Sequence, residues 1–215
     1  MRKVLFGILT SSFFLFGFIH HQQEPVITMR TSLGTIQIKL YNETPRHRDN
    51  FLNLARNHFY DSLLFHRVIK GFMIQGGDPT SRRAVKGQAL GDGDVGYTVS
   101  AEFNENLFHK RGALAAARDN NPAKASSGCQ FYIVQGHVFT ETELSNLEKK
   151  LGIQIKHREV YTSIGGAPHL DMNYTVFGEV TQGMNVVDSI AAVKVGAGDR
   201  PLTDVRILEV KVGQQ

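Results

Sequence analysis

One short stretch of the sequence combines a permanent cation with apolar and amide side chains. Residues 65–67 read FHR and residues 71–75 read GFMIQ. The guanidinium of Arg67 stays protonated at any working pH and holds its donors in a rigid plane. The same residues also fit an ordinary core, with Phe72 and Met73 packed inside and Arg67 on the surface. The pattern alone leaves both readings open.

The spacing around this stretch makes a specific prediction about side-chain direction. Alternate side chains of a strand point to opposite faces of its sheet. We therefore expect Phe72 and Ile74 to face one way, and Met73 and Gln75 to face the other.

Residues 91–96 read GDGDVG and match the glycine spacing of a dinucleotide-binding loop. That motif holds a pyrophosphate only between a strand and the start of a helix, and neither flank complies, because Tyr97-Thr98-Val99 opens a helix poorly. Two aspartates inside the loop would also repel phosphate. We expect a mobile surface loop, with nucleotide binding as the alternative that a thermal shift would test.

Metal and hydrolytic chemistry find little support in the sequence. The nine histidines are scattered, without H-x-x-x-H spacing or neighbouring cysteines, so we expect no metal and no cofactor. No G-x-S-x-G elbow marks an activated serine. The single cysteine, Cys129, has no partner for an intramolecular disulfide and is expected to be a small buried hydrophobe.

Hydrophobic periodicity and turn residues predict the elements that must position these side chains. In chain order they are a hairpin at 26–40, a helix from 45 to 56, strands at 63–69, 71–75, 113–117 and 130–135, a helix at 140–151, a strand at 174–180, a helix at 184–191 and a strand at 205–210. A polar loop is expected at 118–128. This order lacks the regular alternation of a parallel α/β sheet. We predict a mostly β fold, a closed antiparallel barrel with helices covering its ends.

Both longer helices begin with residues typical of helix starts. Thr44 before Pro45 is expected to be an N-cap, and Thr140 with Glu143 has the spacing of a capping box. Leu144, Leu147 and Leu151 are then expected on one face of the second helix, which Gly152 ends.

Composition favours one globular domain and gives no support for nucleic-acid binding. A length of 215 residues fits a single core, and 21 glycines without a tryptophan suit a loop-rich β body. The formal charge is only +4, two units of which come from Arg2 and Lys3, and no basic track is interleaved with aromatic residues. We expect a monomer that does not bind nucleic acid.

The N-terminus has the order of a secretory signal: a charged Met1-Arg2-Lys3, an apolar stretch at 4–19 and polar residues at 20–23. No A-x-A-like cleavage site follows, so residues 1–24 are either a cleaved signal peptide or an N-terminal membrane anchor. The chain is expected to be exported, in a periplasm or on the outer face of the cytoplasmic membrane. Residues 25–215 then form the mature domain.

Three ordered blocks resemble the cyclophilin-type peptidyl-prolyl cis-trans isomerases, in their exported bacterial form. They are residues 65–78, 130–133 and 176–180, and the resemblance extends over about 26–212. It implies an eight-stranded antiparallel barrel closed by helices, with a substrate groove on its outer face. It also implies an enzyme that accelerates rotation about X-Pro bonds and assists the folding of exported proteins. Its partners would be proline-containing peptides and unfolded or exported proteins.

The resemblance assigns site residues one by one. Arg67 and Gln75 would be catalytic, with Gln75 holding the substrate backbone and the arginine. Substrate contacts would come from Phe72, Met73, Ala117, Arg118, Gln130, Phe131, Tyr132, His169, Leu170 and Tyr174. The alternative function is a non-catalytic module or chaperone that grips proline-containing segments in the same groove.

Four departures from the best-known family pattern limit this transfer. Arg118 replaces an asparagine, so only its main-chain role carries over, and Tyr174 replaces a histidine at the pocket edge. His169 replaces a tryptophan linked with cyclosporin binding, which predicts weak cyclosporin sensitivity. A long helical insertion at about 136–168 ends just before His169. It is either a surface decoration or a contact for substrate or partner.

Overall fold

The computed structural model describes residues 23–213, and the predicted signal or anchor lies almost wholly outside them. Its ten strands are β1 Val26–Thr31, β2 Gly34–Leu40, β3 Phe65–Ile69, β4 Met73–Gly76, β5 Thr98–Val99, β6 Ala113–Ala116, β7 Ser126–Ser127, β8 Phe131–Val134, β9 Val176–Gln182 and β10 Ile207–Val212. Four α-helices accompany them, α1 Pro45–Arg56, α2 Glu141–Leu151, α3 Arg158–Ser163 and α4 Met184–Ala191. Three short 3-10 turns lie at Pro79–Arg83, Pro168–Leu170 and Ala197–Asp199.

Eight of these strands form one antiparallel sheet in the order β10-β1-β2-β9-β6-β8-β4-β3. The sheet is a half-barrel, so the predicted strand number and antiparallel order are confirmed. Full closure is not confirmed, because the end strands β3 and β10 share no continuous ladder. A single isolated bridge between Leu64 and Arg206 connects the two ends.

Alternation along the strands gives the sheet two different buried faces. In the first hairpin Ile27 pairs with Ile38 and Met29 with Ile36, and all four side chains are fully buried in the main core beneath α1 and α4. Strands β6 and β8 are buried on both faces. Their outward residues join a second apolar cluster that includes Met73, Ala113, Ala115, Tyr132, Val134 and Val176.

Helix α1 occupies the predicted residues, with Thr44 at the N-cap position and Pro45 in the first turn, but its N-terminus is satisfied by a distant residue. The Thr44 side chain makes no capping bond, and its hydroxyl oxygen is buried without a hydrogen-bond partner among the described residues. The carboxylate of Glu102 accepts bonds from the Arg46 and His47 backbone N–H groups instead, both at 3.0 Å. A residue more than fifty positions away therefore satisfies the helix N-terminus.

Helix α2 has the predicted capping box. The Glu143 backbone N–H donates to Thr140 Oγ1 at 3.2 Å, the Thr140 N–H donates to the Glu143 carboxylate at 2.7 Å, and Gly152 ends the helix in the left-handed conformation. Leu144 is buried, but Leu151 is largely exposed, so the predicted apolar face is shorter than its leucine spacing indicated.

The segment 136–168, called the inserted segment below, holds a second helix, α3, which its sequence pattern did not reveal. Leu144, Ile155 and Tyr161 form a separate small core against Phe108, Phe139 and Leu147. Isolated bridges from Gly166 to Lys110 and His137 fasten its base. The third predicted helix is confirmed as α4.

Two loop expectations need correction. Residues 118–128 include the short strand β7, which pairs with β5. Residues 91–96 form a loop as predicted, but it is not simply a surface loop, because Gly93 is buried and Gly91 N donates to Asp78 Oδ2 at 2.6 Å. Its mobility stays a prediction. No helix within residues 23–213 has the length and apolar character needed to cross a membrane.

Candidate active site

Strand register places the central residues of the site side by side. Arg67 on β3 is paired with Gln75 on β4, Gln75 is paired with Tyr132 on β8, and Tyr132 is paired with Ala115 on β6. Directly paired residues point to the same face of a sheet, so the three functional side chains converge although 65 positions separate the first from the last. Side chains that alternate along each single strand therefore form one continuous surface across the neighbouring strands.

These side chains line a groove of about 300 Å³ on the face of the sheet opposite the main core. Its lining consists of Arg67, Phe72, Met73, Gln75, Ala117, Arg118, Tyr132, Leu170 and Tyr174. Nine of the twelve predicted site residues therefore meet in one place. Within the described residues, the lining includes no carboxylate, serine, cysteine or histidine. It offers fixed donors and apolar walls rather than a nucleophile or a general base.

Arg67 is half-exposed and is held from two sides. Its Nη1 donates to Gln75 Oε1 at 3.4 Å, and its Nε lies 3.4 Å from the carboxylate of Asp199. Both side chains of this ion pair are more than two-fifths exposed, so solvent weakens their attraction. No partner for Nη2 is found among the described residues, and Arg67 is one of the residues that line the groove.

Gln75 and Gln130 form the support behind the arginine. Gln75 Nε2 donates to Gln130 Oε1 at 3.0 Å, and Gln130 Nε2 donates to the carbonyl oxygens of Gly91 and Gly93 at 2.7 and 2.8 Å. Gln130 is thus absent from the groove lining, but it lines an adjoining pocket that shares Gln75, Ala117 and Arg118 with the groove. The glycine-rich loop 91–96 has a positional role here: it anchors the amide relay that holds Arg67.

The opposite rim is aromatic and cationic. The guanidinium of Arg118 lies 4.7 Å from the centroid of the Tyr174 ring, and its Nε donates to the Asn173 carbonyl at 2.9 Å. Tyr174 meets Tyr132 edge-on at a centroid distance of 6.0 Å. The Arg118 side chain therefore contributes to the wall, a role beyond the main-chain one that the sequence comparison allowed.

His169 does not line the groove but contacts one of its walls. Its ring lies 5.3 Å from the ring of Phe72. Burial lowers the pKa of His169, so the neutral imidazole packs against the apolar wall at neutral pH.

Two expectations about side-chain direction were wrong. Phe131 is fully buried on the inner face of β8, where it contacts Phe51, Tyr60 and Phe65, so the structure does not bring it into the groove. Strand alternation assigns the groove to its neighbour Tyr132.

Phe72 is the second case. It precedes β4 in the turn after β3, so strand alternation does not apply to it, and it packs with Met73 rather than with Ile74. Met73 and Gln75 share the groove face, as predicted.

Sequence reasoning missed several residues that support the site. Asp199 contacts Arg67 from a 3-10 turn more than 130 positions away, and His109 contacts the Tyr132 hydroxyl at 3.0 Å. Neither belongs to a local pattern, so no spacing rule could have selected them. Within residues 23–213, no group of three or more histidine, cysteine, aspartate or glutamate side chains could hold a metal ion. Cys129 is buried as expected, and burial raises the pKa of its thiol to about 11.

Comparison with known families identifies this arrangement. The cyclophilin type peptidyl-prolyl cis-trans isomerase/CLD family matches residues 26–212, almost the whole described chain. The chain belongs to the cyclophilin-type peptidyl-prolyl cis-trans isomerases. This cyclophilin is 38% identical over 192 residues to a Staphylococcus aureus (strain USA300) protein named for peptidyl-prolyl cis-trans isomerase activity, covering 89% of this chain and 93% of the relative.

A second relative is longer. This cyclophilin is 37% identical over 194 residues to a Streptococcus pyogenes protein named for phosphatase and peptidyl-prolyl cis-trans isomerase activities, covering 87% of this chain but only 38% of the relative. Among solved structures, a cyclophilin from Cryptosporidium parvum has a TM-score of 0.66 at 22% identity, covering 89% of this chain and 99% of that one. At this identity the solved structure supports the fold alone. The fold, the family and the isomerase activity of the family therefore agree.

Proposed function

We propose that the groove around Arg67 is the site at which this cyclophilin rotates X-Pro peptide bonds. One observation carries the proposal: the guanidinium of Arg67, which contacts Gln75 and Asp199, lines the same pocket as the apolar side chains of Phe72, Met73 and Leu170. The twelve residues assigned by family resemblance remain assignments of this proposal, with Phe131 moved from the groove to the core.

The physical chemistry of the reaction matches such a site. Rotation must abolish amide resonance, which gives a barrier of roughly 18–20 kcal/mol. In the twisted state the prolyl nitrogen becomes pyramidal and gains a lone pair. A fixed cationic donor stabilises that lone pair. The planar ground state has no such lone pair to stabilise, so the interaction lowers the barrier, and neither a proton nor a covalent bond is transferred.

The apolar walls supply the second requirement, which is a fixed proline ring. Phe72, Met73, Leu170 and the ring of Tyr132 enclose the pocket, and Gln75 stands at its polar end. A solved cyclophilin from Cryptosporidium parvum, determined in the presence of the dipeptide Ala-Pro, resembles this chain with a TM-score of 0.64. We take proline-containing peptides as the ligand class here, bound by a monomer, because one chain supplies the whole groove.

Substitution of Arg67 tests the assignment. In a protease-coupled isomerisation assay, we expect Arg67→Ala to lower kcat/KM by about two orders of magnitude, the usual effect of removing one preorganised donor. Arg83→Ala, at an exposed arginine outside the groove, is the matched control and should retain the wild-type rate.

Equal rates for Arg67→Ala and the wild type would overturn the catalytic assignment. If peptide binding persisted in that case, the groove would act as a non-catalytic module or chaperone that grips proline segments. Direct measurement of peptide binding to both proteins separates the two functions.

We further propose that this enzyme assists the folding of exported proteins, in a periplasm or on the outer face of the cytoplasmic membrane. The support is the charged, apolar and polar order of residues 1–23 in the sequence. Mass spectrometry of the protein recovered from its native compartment distinguishes a cleaved N-terminus from a retained anchor. Recovery of the full-length chain in the cytoplasm would contradict export.

Weak cyclosporin sensitivity is a further part of the proposal. His169 occupies the position of a tryptophan linked with cyclosporin binding in the family, and its smaller ring covers Phe72 only in part. Inhibition of the purified enzyme is expected only well above nanomolar cyclosporin. Nanomolar inhibition would contradict this expectation.

We also infer that the half-barrel is closed by a short seam. Ser62 N donates to Ile207 O, Ile207 N donates to Leu63 O, and Phe65 N donates to Val205 O, at 2.8–2.9 Å. These bonds continue the antiparallel pattern of the Leu64–Arg206 bridge and would join the two end strands.

A further inference from the structure

A line of hydrogen bonds, which passes through one partly exposed carboxylate, connects the inserted segment to the wall of the proline pocket. Tyr161 of α3 is fully buried, and its hydroxyl donates to Asp171 Oδ2 at 2.5 Å. The other oxygen of Asp171 contacts the His109 backbone N–H at 2.9 Å and His109 Nδ1 at 2.8 Å. His109 Nε2 then lies 3.0 Å from the hydroxyl of Tyr132, which lines the groove.

The chemistry of these groups fixes the direction of each bond. The Asp171 carboxylate only accepts, so His109 Nδ1 carries a proton and donates it. In the neutral imidazole Nε2 has a free lone pair and accepts from the Tyr132 hydroxyl. Burial raises the pKa of Tyr132 well above its ordinary value, so this hydroxyl keeps the proton that it donates.

This geometry has two consequences for the pocket. The polar end of Tyr132 points away from the groove, and only the ring faces the substrate. Asp171 also follows Leu170 directly and begins the turn that ends at Tyr174, so anchoring its carboxylate fixes two further lining residues. Three groove residues therefore connect to one carboxylate, whose side chain is 22% exposed and whose partner on the far side is Tyr161.

We propose that the inserted segment is a positioning element of the proline pocket and that Tyr161 acts through Asp171 and His109 to orient Tyr132 and the turn 170–174. Tyr161 does not line the groove, so its effect is transmitted and not exerted on substrate. The inference rests on the proposed function, because it assigns a role to the wall of that same pocket. Tyr161, His109 and Tyr132 are buried, so a loss of the hydrogen-bond partner of any of the three would be costly.

Tyr161→Phe removes one hydroxyl and leaves the aromatic packing in place. We expect the Kd of a proline-containing tetrapeptide, measured by NMR titration, to rise about three- to tenfold, the range typical of coupled networks. KM should rise by a similar factor, while kcat changes less than twofold because Arg67 is untouched. Tyr97→Phe is the matched control: its hydroxyl also donates to a side chain, that of Asn50, but it lies outside the groove. It should leave Kd and KM unchanged.

A double-mutant cycle tests the route of the effect. If Tyr161 acts through the Tyr132 hydroxyl, Tyr161→Phe should weaken peptide binding less in a Tyr132→Phe background than in the wild type. If the fold-change in Kd of the double variant equalled the product of the fold-changes of the two single variants, the proposed route would be overturned. A Tyr161→Phe protein that melts at a lower temperature but binds peptide with the wild-type Kd would show a purely structural role and would also overturn the proposal.

The wild-type protein provides a measurement that does not depend on folding of the variant. Peptide binding at the pocket should shift the ring resonances of His109, which does not line the groove but contacts the hydroxyl of Tyr132. Unchanged His109 resonances, alongside shifted resonances of Gln75, would reject this inference and leave the proposed function standing. Absence of any peptide binding to the wild type would reject the proposed function itself, and this inference with it.

Discussion

At the scale of single residues, His66 shows how strand alternation separates neighbours with opposite properties. It adjoins Arg67 on β3 but is only 2% exposed, and neither ring nitrogen has a hydrogen-bond partner among the described residues. Burial lowers the pKa of His66 to about 4, an effect that nearby Arg67 and Arg200 strengthen and Asp78 opposes. The imidazole is therefore buried as a neutral group.

This neutral histidine predicts a loss of stability in acid. The unfolded chain, with an ordinary pKa near 6.5, binds a proton that the folded protein rejects until about pH 4, so the free energy of unfolding falls as pH drops through this window. The total effect is about 3 kcal/mol. Between pH 7 and pH 4.5 the free energy of unfolding of the wild type should fall. For His66→Leu we expect this fall, measured by urea unfolding, to be smaller by about 2–3 kcal/mol.

An identical loss for His66→Leu and the wild type would show that His66 keeps an ordinary pKa in the folded protein.

Among the secondary-structure elements, the two longer helices satisfy the backbone N–H groups at their N-termini in different ways. Helix α2 carries its own cap, because Thr140 and Glu143 bond to each other's backbone. Helix α1 has a threonine in the same position but depends on Glu102, whose carboxylate also contacts His47 Nδ1 at 2.6 Å. The local sequence pattern predicted the N-cap position of both helices, but only Thr140 also makes a side-chain capping bond.

The same substitution at the two threonines is expected to give different results. Thr140→Val should lower the free energy of unfolding of its segment by about 1 kcal/mol, the usual value of a side-chain cap. Thr44→Val should change it by less than about 0.5 kcal/mol, because the lost hydroxyl makes no hydrogen bond. Glu102→Ala should lower the free energy of unfolding by about 2 kcal/mol, since it leaves two backbone N–H donors of α1 unpaired.

Urea unfolding and hydrogen exchange of the α1 amides measure these changes. Comparable losses for Thr44→Val and Thr140→Val would mean that Thr44 caps α1 in solution.

At the scale of the whole molecule, the sheet has a core on each face, and the site lies on the smaller one. The main core joins α1 and α4 to the inner face, whereas the outer cluster includes Val176 and two residues that line the groove, Met73 and Tyr132. The proposed seam between β3 and β10 would make the sheet behind both cores continuous.

Hydrogen exchange tests the proposed closure of the sheet. The Ser62, Phe65 and Ile207 amides donate across the seam, and we expect them to exchange as slowly as the paired amides of β1 and β2. Exchange at the rate of an open edge strand would contradict closure. The amides of the short β5–β7 pair serve as a reference for weakly protected strands.

Much of this protein follows from its sequence. Alternating apolar residues predicted the first hairpin, and helical spacing predicted α1 and α4. The sequence around Arg67 indicated the position of the site. These signals are local, because each depends on residues that are close together in the sequence, within one helix or one pair of adjacent strands. They also sufficed to indicate the cyclophilin family, since family blocks are local too.

Only the tertiary structure decided what lies between those blocks. It assigned Tyr132 and not Phe131 to the groove, placed Asp199 beside Arg67, and linked Tyr161 of the inserted segment to the pocket wall through His109. The physical reason is that these contacts join residues far apart in the chain. Their partners are chosen by strand register and packing, which a pattern read along one segment does not contain.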